Sequence, residues 1–528
     1  MLFNTLQFML LAACALSLTL FVRRAGPAAP KFCLIAASVG FYGLWNPHDI
    51  PVLLLSLAGN YWLAGVLCGA AKEQRRSWLA IGVVANLLLL AWFKVGHTWG
   101  GYLALVWPQF PVPAERALPL GISFFTFQQI AYLVSLGKSG ERIRLPDYTF
   151  VICFFPHLVA GPLVRHRDML RQLGRPSTFA LRASNLFAGI SLFIIGLAKK
   201  VLIADPLGLY STVLFRASDA GQSLDLLSAW IAAVAGFLNF YFDFSGYSDM
   251  ACGLALVVGI RLPLNFYSPF KSVSMDEFWN RWNITVTQFI REHVFRPLAG
   301  RRLVIRRHLA ALPITMILAG MWHGASLTFL AWGALHGVIV TAQHARRLVW
   351  RKRATRNLGR ARQCLGWAQT QLLLIVLGCF FMSHNLGGAW RMLEGMAGAS
   401  EAAALPMLPS LLPAPMTLAV GMLAGMWGGE WVTAWIGTVE ALLFIALAWG
   451  ISACAPNSIQ LLGRYRPVQD STNLLHAGLI PRLPGVQWFG RQVVVPGPFW
   501  TLALGAVFAL CLLRILSNAA SPFNYYNY

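Results

Sequence analysis

His323 and His336 stand in MWHGASLTFLAWGALHG (321–337), a run otherwise made of apolar and small residues with no carboxylate in it. A titratable ring inside an apolar run is costly, and in membranes such residues usually serve function. A neutral imidazole in a low-dielectric setting can accept a proton, which is what a general base requires. Gly324, Ala325 and Ser326 beside His323 leave room for a substrate to approach. His323 is therefore the first candidate catalytic residue. His336 is the second, with a hydrogen-bonded core histidine as its equal alternative. No HExxH or paired Cys/His spacing accompanies them, so the pattern does not suggest a metal site.

The elements that position these rings must be membrane helices. Of 528 residues, 57% are hydrophobic and only 12% charged, with a mean hydropathy of +0.60. A soluble chain carries about twice that charged fraction. Apolar runs long enough to cross ~30 Å of hydrocarbon recur along the whole length. The chain reads as an all-α polytopic membrane protein in a single integral membrane domain, 1–528. The formal charge of +23 falls in short Lys/Arg clusters between apolar runs. Orientation of the spans explains those clusters, and nucleic acid is not an expected partner. The nine cysteines are scattered in apolar runs and read as small buried residues.

The amino terminus has no basic residue before its first apolar run and Arg23 and Arg24 after it. That polarity predicts an uncleaved first span with the N-terminus facing away from the cytoplasm. Further apolar runs lie near 78–94, 118–136, 148–164, 185–204 and 225–260. Several hold Pro and Gly, as in FFPHLVAGP, and predict re-entrant or tilted pieces that protein must cover. Residues 271–307 turn basic but keep Phe278, Trp279, Trp282, Phe289, Ile290 and Val294 near helical spacing. They predict cytoplasmic interfacial helices. With a second basic cluster at 345–362, residues 309–344 must enter the membrane and return. At ~1.5 Å per residue this hairpin reaches about 27 Å, with His323 ~20 Å and His336 ~13 Å from the inner surface. Runs at 366–382, 437–454 and 498–513 are later spans, 405–427 is apolar with several prolines, and 455–497 reads as a cytoplasmic loop. Lys199 and Lys200 read as a cytoplasmic helix end, and Asp243 and Asp249 as a hydrogen-bonded brace between helices.

Six segments, taken in order, resemble the membrane-bound O-acyltransferase family in its bacterial alginate O-acetyltransferase-like branch. They are LPLGISFFTFQQIAYL (118–133), FFPHLVAGPLVR (154–165), GLAKKVLIADP (196–206), FDFSGYSDMACGLALVVGIRLPLNF (242–266), FWNRWNITVTQFIREHVFRPLAG (278–300) and MWHG (321–324). The resemblance implies a helical fold around a central tunnel, with the family's characteristic histidine at His323. It implies acetyl-coenzyme A as a cytoplasmic donor and an exported glycan, alginate- or cellulose-like, as the destination. It also implies a bacterial inner-membrane location and a periplasmic partner that takes the acyl group.

Trp282, Asn283 and Arg291 are the expected donor-binding residues, the arginine suiting phosphates. Two departures mark this chain: Trp282–Asn283 stands where the family usually reads WH, and Arg291–Glu292–His293 where it reads RDY. The carboxy-terminal FNYYNY suggests either interfacial anchoring or a brief acyl relay at Tyr525. A transporter or flippase using the histidines as a proton relay is the alternative of a different class. It predicts matching halves, and no internal repeat stands out. A structural subunit recruiting a periplasmic acetyltransferase is a third reading.

Overall fold

Inside a bilayer every backbone polar group must be satisfied within the protein, so apolar runs such as these fold as helices. A computed structural model describes residues 3–109, 112, 118–300, 302, 304–349, 359–400, 430–469 and 496–517. No strand occurs among the described residues, and eight helices there are long and apolar enough to cross a membrane. The chain is an all-α, multi-pass membrane protein.

The first helices, α1 (Leu6–Val22), α2 (Ala29–Trp45), α3 (Ile50–Gly69) and α4 (Lys72–Lys94), precede a short α5 (Gly96–Val106) and α6 (Ile122–Ser139). Helices α3, α4 and α6 are joined by buried amides. Asn60 Nδ2 and Ser56 Oγ both donate to Gln129 Oε1 at 2.8 Å, and Asn86 Nδ2 donates to Asn60 Oδ1 at 2.7 Å. Such side chains hold membrane helices together where no hydrophobic force can. The Pro- and Gly-bearing run near 148–164 is not one crossing. It breaks into α7 (Leu145–Cys153), a single turn α8 (Phe155–Leu158) and an extended stretch leading to α9 (His166–Leu173), with the broken backbone buried in protein.

Two long rods form the centre. α10 (Ala183–Ala198), a π-helical turn (Lys199–Ala204) and α11 (Asp205–Asp219) run on as one helix of 37 residues beside the 32-residue α12 (Leu226–Val257). They touch backbone to backbone. A Cβ on Gly196 would lie 2.5 Å from the Gly246 carbonyl oxygen, and one on Gly246 would lie 2.6 Å from that of Gly196. Only glycine permits this approach. Lys199 and Lys200 therefore do not mark a helix end. They sit mid-helix, where Lys199 Nζ pairs with Asp249 at 2.6 Å and Lys200 Nζ with Asp243 at 2.7 Å and Asp205 at 2.8 Å. The aspartate brace exists, and its partners are these lysines, because a buried charge persists only when paired.

The basic segment folds into short pieces: α13 (Met275–Trp279), α14 (Ile284–Ile290), a π-helical turn (Arg291–Phe295) and α15 (Arg296–Ala299). The hairpin follows as α16 (Ile305–His323) and α17 (Leu327–Val349). It is also glycine-packed: a Cβ on Gly320 would meet the Phe329 carbonyl oxygen at 2.3 Å, and one on Gly333 that of Met316 at 2.5 Å. Helices α18 (Arg360–Met382), α19 (Leu386–Met396), α20 (Glu430–Cys454), α21 (Ser458–Leu461) and α22 (Pro498–Ser517) complete the described chain. Not every cysteine is buried. Cys14, Cys364 and Cys454 are exposed, because a span presents one face to lipid.

Candidate active site

α16 rises 19 residues, about 28 Å, from an arginine-rich start to His323, its last residue. His323 is half-buried. Its ring packs among Trp322, Phe381 and Trp332, with centroids 4.7, 4.9 and 5.6 Å away. It lines a cavity of about 400 Å³ enclosed by α12, the 275–295 segment, the hairpin and α18. The last carbonyls of a helix have no intrahelical donor. Here Lys94, the final residue of α4, supplies one. Its Nζ donates to the carbonyls of Trp322 and, at 2.8 Å, His323, and stands 5.4 Å from the Trp322 ring centroid.

His336 lines the same cavity but is buried, with Nδ1 3.0 Å from the Trp332 carbonyl oxygen. The Trp332 indole packs against both histidines, its centroid 4.4 Å from His336 and 5.6 Å from His323. An indole has only an N–H to donate and no acceptor through which a proton could pass. Asn283 sits in the turn before α14 at φ +40°, a left-handed conformation that asparagine tolerates. It is buried against the cavity, and its Oδ1 has no hydrogen-bond partner among the described residues.

Trp282 is a wall, set 5.2 Å from Phe266 and 5.3 Å from Phe278 between centroids. Arg291 is exposed at the basic end of the cavity, where Nη2 donates to Asn280 Oδ1 at 2.7 Å. The five described candidates, His323, His336, Trp282, Asn283 and Arg291, thus line one cavity. Tyr525 and the FNYYNY ending lie outside the described residues.

The basic end also holds residues that the sequence reading passed over. His344 Nε2 lies 3.3 Å from Asp276 Oδ1, and His308 Nε2 lies 3.4 Å from His344 Nδ1. A carboxylate accepts only, so His344 donates from Nε2 and accepts from His308 at Nδ1. Along α16 this polar end stands about 22 Å from His323. Between the two ends the walls are mainly aromatic and aliphatic. The cavity is a mainly apolar passage, polar at its basic end, with His323 among its walls at the far end of α16.

A family model described as membrane-bound O-acyltransferase matches residues 83–384 of the chain. Among curated proteins, the chain is 35% identical over 403 residues to a peptidoglycan O-acetyltransferase of Helicobacter pylori, covering 70% of this chain and 74% of the relative. It is 30% identical over 505 residues to a probable alginate O-acetylase of Azotobacter vinelandii, covering 94% of both. It is also 28% identical over 313 residues to a teichoic acid D-alanyltransferase of Bacillus subtilis, covering 56% of this chain and 76% of that one.

Proposed function

The chain belongs to the membrane-bound O-acyltransferase family, and from that premise we propose that it carries an acetyl group from cytoplasmic acetyl-coenzyme A toward hydroxyls of an exported polysaccharide, with His323 as the general base. The observation that carries this reading is the passage itself, which His323 and Arg291 both line. Coenzyme A is too charged to cross a bilayer, but its phosphates suit a basic rim, and its thin pantetheine arm suits an apolar passage about 22 Å long.

The chemistry then follows from the groups present. His323 takes the proton of the acceptor hydroxyl as its oxygen attacks the thioester carbonyl. The tetrahedral adduct collapses, the C–S bond breaks, and the imidazolium returns the proton to the leaving thiolate. An ester and a free thiol result, with no net proton change. The Asn283 side chain offers an amide N–H toward charge developing on the carbonyl oxygen. The aromatic walls keep water from the thioester. Acyl transfer onward belongs to a partner on the side away from the donor.

The test uses purified protein in nanodiscs, wild type and His323→Ala, with radiolabelled acetyl-coenzyme A. Coenzyme A release and acyl transfer by the wild type alone support the reading. Equal release by both proteins removes His323 from the chemistry, and no release with an acceptor glycan and its partner present overturns the donor assignment.

A further inference from the structure

A second cavity, of about 450 Å³, opens on the basic side of the protein and shares no lining residue with the histidine passage. Its walls come from the first turn of α2, the end of α6, the 141–144 link, the first turn of α7, and α9. Four cations line it, Lys31, Arg142, Arg144 and Arg167, against the two carboxylates Glu141 and Asp147. Asp147 is already neutralised, with Lys31 Nζ at 2.7 Å and Arg144 Nε at 3.4 Å. His166 adds no charge at neutral pH, since burial and the neighbouring Arg167 push its pKa down to about 4. The cavity therefore carries a net positive charge.

One of its arginines is held in place by α3. The Arg142 guanidinium lies 3.8 Å from the Tyr61 ring centroid and donates from Nη2 to the Tyr61 carbonyl at 2.9 Å. That stacking fixes its plane, and its other N–H groups meet no acceptor among the described residues. α7 and α9 both begin at this cavity, and neither has a side-chain cap on its first turn. An uncapped first turn leaves free N–H groups, though Pro146 supplies none in α7 and each turn also carries an acidic residue, Asp147 or Asp168. Leu170, Leu173 and Phe179 give the cavity an apolar floor.

We propose that this cavity binds a phosphate ester. A rigid guanidinium fork matches phosphate oxygens better than it matches any neutral group. Basic pockets between helices at a cytoplasmic face hold anionic lipid headgroups in other membrane proteins. The same chemistry serves two sources, the headgroup of an anionic phospholipid and a water-soluble phosphate. None of the lining residues belongs to the histidine passage, so the proposal stands whatever donor the passage takes.

The experiment compares delipidated full-length protein with an Arg142→Gln/Arg167→Gln double variant and with Arg144→Gln, whose side chain is 88% exposed. Each is titrated with nanodiscs of phosphatidylcholine alone, with nanodiscs containing phosphatidylglycerol, and with inorganic phosphate. Thermal unfolding and native mass spectrometry are the readouts. Phosphatidylglycerol retention and a raised unfolding midpoint in the wild type, with at least tenfold weaker binding in the double variant, support a lipid source. The same pattern with inorganic phosphate supports a soluble one. Arg144→Gln weakens either by less and keeps the test readable if the double variant does not fold. Indifference of the wild type to both probes, or equal binding by wild type and all variants, overturns the proposal.

Discussion

Lys94 and His323, 229 residues apart in the chain, meet at one hydrogen bond of 2.8 Å from the lysine Nζ to the histidine carbonyl. The contact joins α4 to the end of α16 and fixes the last helical turn from which the imidazole projects. Lys94→Met keeps the length of the side chain and removes its donors. It is expected to lower kcat by about 10- to 100-fold, since a misplacement of about 1 Å costs that much, and to leave the KM for acetyl-coenzyme A little changed. Steady-state kinetics separate the two. An unchanged kcat would show that α16 holds its end without the lysine.

His323 and His336 are separable by the same assay. The His336 Nδ1 is engaged with the Trp332 carbonyl oxygen at 3.0 Å, so that ring braces a wall. His336→Gln is expected to keep kcat within about tenfold of wild type. His323→Gln is expected to lose about 10²- to 10⁴-fold, the range for removal of a general base. Equal losses would assign both rings to the chemistry.

The hairpin and its two histidines were legible because titratable rings are rare in apolar runs, and the family resemblance was legible because its six segments keep their order. What stayed hidden depends on contacts between distant elements. Nothing local to His308 or His344 points to Asp276, which reaches them only when α13 folds against α17. Lys199 and Lys200 resemble a helix end because their partners Asp243 and Asp249 lie on α12. Lys94 did leave a trace: a lysine closes the far end of a span that begins with the basic AKEQRRS, against the usual charge bias. The left-handed backbone of Asn283 left none.

That backbone makes Asn283 testable in two parts. Asn283→Gly keeps the φ of +40° without strain and removes the amide. Asn283→Ala removes the amide and adds a left-handed alanine, which costs about 1–2 kcal/mol. Both variants are expected to lose transfer activity to the same extent, while only the alanine lowers the thermal unfolding midpoint. Full activity in Asn283→Gly would remove the amide from the reaction.

The buried lysines offer a test of the core that is independent of turnover. Lys200 and Asp243 are 4% and 1% exposed, so removing one partner strands a charge that water cannot reach. Lys200→Met is expected to destabilise the protein by about 3–5 kcal/mol. At the neighbouring pair, Lys199→Met together with Asp249→Leu removes both charges and is expected to cost less than either change alone, because the penalty lies in the unpaired ion. Unfolding in mixed micelles, followed for single and double variants, measures the coupling. A double variant no more stable than the singles would mean that the pair is held for a purpose other than mutual neutralisation. The π-helical turn that presents both lysines to α12 would then be the next place to look for one.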